Sequence, residues 1–188
     1  MFVREIGDRR GERTALVNLA NAYFALGDTR RTIELFERAL LIVRELGSRR
    51  GEGTAPGGLG NAYSALNELR KAIEFCAQQL VIVREIGDRL GESAAFGNLG
   101  NTYADLGDAR KAIEFYERAL VIAHEIGDRR GEGTAQWNFA LALEKLGDRV
   151  QAIARAEAAL RVFEAIENPN AAKIRTKLDE WRKAGAGS

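Results

Sequence analysis

The phrase Glu5-Ile6-Gly7-Asp8-Arg9-Arg10-Gly11-Glu12 returns as Glu45-Leu46-Gly47-Ser48-Arg49-Arg50-Gly51-Glu52, and again at 85–92 and 125–132. The spacing is 40 residues, and four copies fill the chain from Glu5 to Glu164. The first and third copies share 23 of their 40 positions. Units of this length in tandem cannot bury their own apolar faces alone and must stack on their neighbours. The repeat therefore points to an extended array, not to a globule around one central core.

Each copy carries two marks. One is Gly-Asp at 7–8, 87–88 and 127–128, with Gly47-Ser48 standing in; the other is Gly-Asp at 27–28, 107–108 and 147–148, with Asn67-Glu68 standing in. Glycine is favoured just past a helix C-terminus, where φ turns positive. Asp and Ser are favoured N-caps, because their oxygens accept from the first free amides. Each pair thus ends one helix and starts the next. Between marks the apolar residues step by three and four, as in Phe96, Leu99, Gly100, Tyr103 and Leu106, and in Ile113, Tyr116, Ala119, Leu120 and Ala123. No alternating stretch suggests a strand. The second copy holds Pro56-Gly57-Gly58, which predicts a first helix that starts late, near Thr54 or Ala55, or is kinked. After Asn168, a plausible cap, and Pro169, suited to a first helical turn, the residues Ala171, Ile174, Leu178 and Trp181 form a single apolar stripe. A helix over 169–183 with one dry and one wet face suits the end of a stack, leaving 184–188 as a disordered tail.

Composition narrows the function. With 28 basic and 27 acidic side chains the chain lacks the basic excess of a nucleic-acid binder. The longest aliphatic runs, such as Ala39–Val43, fall far short of the ~20 residues of a membrane span. Met1-Phe2-Val3 leads directly into Arg4-Glu5, without a secretory apolar segment. Cys76 is the only cysteine, which excludes an intrachain disulfide and fits a reducing, cytoplasmic setting. His124 is the only histidine, so neither a histidine-rich metal site nor a Cys-His dyad is supported. Gly51-Glu52-Gly53 follows no strand and does not read as a nucleotide loop. No cofactor, metal or catalytic constellation is expected, and the chain does not read as an enzyme. Arginine outnumbers lysine 22 to 6, as in GC-rich bacterial genomes.

A large residue, then Leu-Gly, Tyr, Gly, Ala, aromatic and Ala recur at set distances. In the third copy these are Phe96, Leu99-Gly100, Tyr103, Gly107, Ala112, Tyr116 and Ala119; in the first they are Leu16, Leu19-Ala20, Tyr23, Gly27, Thr32, Phe36 and Ala39. This pattern resembles the tetratricopeptide repeat, whose usual unit has 34 residues. The longer form is similar to kinesin light chain, to the Leu-Gly-Asn adaptors of spindle orientation, and to arrays in bacterial signalling proteins. Leu59-Gly60-Asn61 and Leu99-Gly100-Asn101 carry that phrase here. The resemblance implies an all-α, right-handed α-solenoid of four helix-turn-helix repeats (5–44, 45–84, 85–124 and 125–164) plus a C-terminal capping helix, within one domain of 1–188. It also implies a concave groove, lined by the first helix of each repeat, that binds peptides or proteins. The second copy departs from the pattern with Cys76 and Gln79, and the fourth with Leu141 and Leu143.

On the inward stripe of those first helices, asparagine recurs at 18, 21, 61, 98, 101 and 138 although it is a mediocre helix former. A carboxamide both donates and accepts, so it can hold a peptide backbone without reading side chains. Asn18, Asn21, Asn61, Asn98, Asn101 and Asn138 are the candidate groove residues, with Trp137 as an aromatic anchor. The competing readings are that duplication multiplied the asparagines, that they staple neighbouring helices together, and that Trp137 is a core residue. The family's charged clamp for carboxylates has no match, since its places hold Val17, Gly57 and Gly97. Of the arginines that favour acidic peptides only Arg13 matches in part; Gly53, Ser93 and Gly133 hold the other places. The arginine pairs at 9–10, 49–50 and 129–130 read as solvated helix ends offset by Glu12, Glu52 and Glu132. Exposed carboxylates read as partners of arginine one turn on, such as Glu34 with Arg38 and Glu114 with Arg118. Phe2-Val3-Arg4-Glu5 resembles Ile42-Val43-Arg44-Glu45, the end of a second helix, so the chain starts mid-unit. This implies either a fragment of a longer array or an unpaired apolar edge, formed by Ala15, Ala22 and the Phe2-Val3-Ile6 stub, that promotes self-association. The leading expectation is a peptide- or protein-binding scaffold, part of a larger bacterial signalling or regulatory protein; the alternative is a homo-oligomer formed through that edge.

Overall fold

The marks set the course of the chain. The computed structural model describes residues 2–47 and 53–186, with side chains for 9–47 and 53–183 of these. Its helices are α1 (Phe2–Ala25), α2 (Thr29–Leu46), α3 (Thr54–Ala65), α4 (Leu69–Glu85), α5 (Arg89–Asp105), α6 (Ala109–Glu125), α7 (Arg129–Lys145), α8 (Arg149–Ala165) and α9 (Asn170–Ala186). No strand occurs among the described residues. At the turns, φ is positive at Gly27, Gly47, Gly87, Gly107, Gly127 and Gly147, and also at Asn67 (59°) and Glu167 (51°). A left-handed residue with a Cβ costs roughly 1 kcal/mol or more, which glycine avoids. Directly after the turn, the carboxylates of Asp28, Asp88, Asp108, Asp128 and Asp148 accept from the backbone N–H three residues on, at 2.9–3.2 Å. Glu68, the stand-in in the second copy, makes no such side-chain bond.

Three boundaries differ from expectation or refine it. Helix α1 runs unbroken across Gly7-Asp8. A Gly-Asp pair alone costs a helix on the order of 1–2 kcal/mol; at the other marks two packed arms hold the turn. Helix α3 begins at Thr54, the late start that Pro56 implied. Pro56 falls in the first turn, where the missing N–H has no helical acceptor to lose. Helix α9 extends beyond Lys183 to Ala186, because Ala184 and Ala186 favour helix and Gly185 alone does not end it. Asn168 caps it, accepting from the Asn170 N–H at 2.9 Å. Ser48, Arg49, Arg50 and Glu52 lie outside the described residues, as do Gly187, Ser188 and the side chains of Phe2, Val3 and Ile6.

The hairpins are α1–α2, α3–α4, α5–α6 and α7–α8, and each packs on the next through α2·α3, α4·α5 and α6·α7, with α9 closing over α8. This is an α-solenoid of four helix pairs with a terminal capping helix. Mid-helix glycines permit the close approach. A Cβ on Gly100 would lie 2.4 Å from Cε1 of Tyr116, one on Gly133 2.7 Å from Cε1 of Phe163, and one on Gly60 2.4 Å from Sγ of Cys76. The aromatic ring or sulfur of the second helix fills the space a side chain would take. Charged side chains close the helix ends. Glu92, 7% exposed, accepts from Arg84 at 2.8 Å and Arg89 at 2.6 Å, tying α4 to α5. Arg9 pairs with Glu12 at 3.0 Å and Arg129 with Glu132 at 2.5 Å, as the offset arginine pairs required.

The glycines give a paired expectation. Gly97 has open space where a Cβ would go, so Gly97→Ala raises stability by about 0.5–1 kcal/mol through helix propensity. Gly100→Ala instead drives a methyl into the buried Tyr116 ring and lowers stability by about 1–3 kcal/mol. Urea midpoints of the two variants, measured against wild type, move in opposite directions.

Candidate functional site

Beyond their pairing, the odd-numbered helices touch one another directly: α1 with α3, α3 with α5, and α5 with α7. Their outward stripe is therefore one continuous wall. Three cavities follow it. The first, about 350 Å3, is bounded by Asn21, Gly57, Gly58, Asn61, Gln79 and Asn98. The second, about 280 Å3, is bounded by Asn98, Asn101, Tyr116, Thr134 and Asn138. The third, about 480 Å3, continues past Asn101 and Asn138 to Asp105, Leu141, Glu144 and Lys145.

The structure thus brings five of the seven sequence-predicted residues together: Asn21, Asn61, Asn98, Asn101 and Asn138. Asn18 is exposed on α1 but borders none of the three cavities. Trp137 also stands apart. Its half-buried ring stacks on Trp181 of α9, with centroids 6.2 Å apart and planes 26° from parallel. Trp181 itself is buried and donates its indole N–H to Glu144 at 3.3 Å. Trp137 is therefore part of the seat of the capping helix.

The asparagines divide into two kinds. Asn101 Oδ1 accepts twice, from the Tyr116 hydroxyl at 2.9 Å and from Nδ2 of Asn138 at 2.9 Å. Asn101 and Asn138 are thus the stapling pair, joining α5 to α7. Burial first, and then the nearby Asp105 carboxylate, holds the Tyr116 phenol above its ordinary range, so it remains a donor at working pH. The side chains of Asn18, Asn21, Asn61 and Asn98 make no hydrogen bond within the described residues. Their donors and acceptors are unspent. Further along the wall Ser64 donates to Asp105 at 3.0 Å and Lys145 to the Ala104 carbonyl at 3.2 Å, so the third cavity carries charges of both signs.

Gln79 lines the first cavity, and sequence reasoning read it only as a departure from the core pattern. It lies on α4 where the other copies have Ala39, Ala119 and Ala159. It is 8% exposed, and its Oε1 is buried without a hydrogen-bond partner. An orphaned acceptor of this kind costs roughly 1–3 kcal/mol. The signal was the polar residue at an alanine position opposite two glycines.

Cys76 is buried, and burial pushes its thiol up to about 12, only partly opposed by a hydrogen bond with Thr102. Among the described residues no group of three or more His, Cys, Asp or Glu side chains could hold a metal ion, and no helix is long and apolar enough to cross a membrane.

These features define a class, the stacked-hairpin scaffolds that bind other proteins. The sequence profile of the tetratricopeptide repeat matches residues 11–78, 52–125 and 91–165, and the chain belongs to that family. A comparison with curated proteins gives no match. Among solved structures, the fold is shared with the nearly identical TPR-like repeats of a putative kinesin light chain from Podosopora anserina. That likeness has a TM-score of 0.74 at 20% identity, over 93% of this chain and 87% of that one. Aspartyl phosphate phosphatase F from Bacillus subtilis is similar over 93% of this chain, with a TM-score of 0.84 at 12% identity, but only 45% of that protein is covered. A signal transduction ATPase with numerous domains from Pyrococcus horikoshii, which carries a tetratricopeptide repeat sensor, has a TM-score of 0.74 at 22% identity. There 86% of this chain corresponds to 25% of that one.

The two kinds of asparagine differ in what their loss does to the fold. Asn101→Ala strands the Tyr116 hydroxyl and lowers stability by about 1–3 kcal/mol. Asn61→Ala breaks no internal bond and leaves stability unchanged or raised by up to about 0.7 kcal/mol. Urea denaturation followed by circular dichroism measures both.

Proposed function

We propose that the chain binds an extended peptide, or an extended segment of a partner protein, along the wall of odd-numbered helices. One observation carries the reading. Asn21, Asn61 and Asn98 border one continuous run of cavities with carboxamides that satisfy nothing inside the protein. An extended backbone offers alternating N–H and C=O groups, and a carboxamide answers either. A wall already assembled by helix packing loses little freedom on binding, so modest contacts suffice. Asn101, held by Tyr116 and Asn138, keeps its N–H2 for a ligand carbonyl, while Trp137 braces α9 beneath the end of the groove. The role is binding without catalysis.

We place this module in a larger bacterial signalling or regulatory protein of the cytoplasm. Support comes from the likeness to an archaeal signal-transduction ATPase whose repeats are described as a sensor and to a Bacillus subtilis aspartyl phosphate phosphatase, and from a single, buried cysteine. A library of extended peptides, tested by fluorescence anisotropy, should yield binders to wild type that Asn61→Ala combined with Asn98→Ala weakens roughly tenfold. Equal binding by both proteins discards the asparagine reading.

A second reading, self-association through α1, rests on its own observation. Ala15, Leu19 and Ala22 lie one face up α1 and are exposed, Leu19 by 47%. Their counterparts 40 residues on, Ala55, Leu59 and Ala62, are at most 1% exposed beneath α2. The open face of α1 thus has the shape that a second helix of a repeat covers. Light scattering across concentration should show dimers that Leu19→Glu abolishes; a strict monomer at high concentration removes this reading.

A further inference from the structure

The first cavity differs in kind from the others. In the first, third and fourth copies an asparagine (Asn18, Asn98 or Asn138) is matched by an alanine on the following helix (Ala39, Ala119 or Ala159). In the second copy both positions change. Gly58 replaces the asparagine and Gln79 replaces the alanine, so the carboxamide moves from the rim of the wall to its floor. The exchange depends on Gly57. A Cβ there would lie 2.6 Å from Nε2 and 2.7 Å from Oε1 of Gln79, so a side chain at 57 would displace the amide from this place. At Gly58 a Cβ would meet the Phe36 ring at 2.2 Å, so the pit between α3 and α5 stays free of side chains from α3 at both places. Gln79 lines that pit, more than nine-tenths buried, with Oε1 unpartnered.

We infer that this pit is a dedicated subsite for one peptide unit of an extended ligand. The Gln79 carboxamide pairs with the ligand's backbone there, while Asn61 and Asn98 hold the units on either side. The inference rests on the groove reading above and adds a register to it. The pit fixes which peptide unit of the ligand lies over repeat 2. The pairing also accounts for a buried polar group that the fold does not use.

N-acetyl triglycine amide, a backbone without side chains, is the probe, titrated into isotope-labelled protein while the side-chain N–H2 resonances of Gln79, Asn61 and Asn98 are followed. The Gln79 resonances should shift together with those of Asn61 and Asn98. Gln79→Ala, which restores the residue of the other copies and keeps the fold, should weaken binding threefold to tenfold. Shifts at Asn61 and Asn98 without one at Gln79, or unchanged binding in Gln79→Ala, overturn the inference and leave the groove reading standing. No shift at any of the three residues overturns both.

Discussion

Burial between neighbouring hairpins is the constraint on which everything else depends. Each pair of helices has two broad apolar faces, and only one of them can be covered by the pair's own arms. The odd helices show what the neighbour supplies. Ala95 and Leu99 are 0% and 3% exposed and Ala135 and Phe139 6% and 4%, whereas Leu19, at the equivalent place on α1, is 47% exposed. Stability in such an array is a sum of unit and interface terms. At the other end α9 answers the same need, burying Ile174, Leu178 and Trp181 and turning its charged residues outward.

The wall of odd helices is a by-product of that stacking, and its chemistry follows from how close the helices come. Gly60, Gly100 and Gly133 let Cys76, Tyr116 and Phe163 reach across within each hairpin. Where the reaching group is Tyr116, its hydroxyl arrives at Asn101 and fixes that amide. Where it is Cys76, nothing reaches Asn61, and that amide stays free. The same repeat motif thus yields one structural asparagine and one open to a ligand, according to a single residue on the opposing helix.

Much of this was legible in the sequence because the relevant signals are local or periodic. Gly-Asp marks state turn and cap together, and the one stand-in for glycine between helices that was foreseen, Asn67, does adopt positive φ. The asparagine face followed from helical spacing alone. What was not legible depends on contacts between distant segments. That Trp137 belongs beneath α9 requires knowing where Trp181 docks. That Asn101 is a staple requires the Tyr116 ring to lie over Gly100. The pairs Glu34–Arg38 and Glu114–Arg118 are not among the ion pairs formed by the described residues; Arg38 reaches Glu12 at 3.9 Å instead, and Arg118 lies over the rings of Phe96 and Phe115. Helix-surface rules rank such pairs by spacing within one helix, but the other arm of the same hairpin offers partners too. Gly7-Asp8 failed as a break for the same reason in reverse, since a mark becomes a turn only where two packed arms enforce it.

Removing one period from the interior tests this account most directly. Deleting residues 85–124 joins Arg84 to Glu125 in register, so that the second hairpin meets the fourth across an interface of the same kind. The account predicts a shorter protein that remains helical by circular dichroism and unfolds in urea with a slope reduced by roughly a quarter, in proportion to the surface lost. A deletion product without helical structure, or one that unfolds with the slope of the parent, would contradict it.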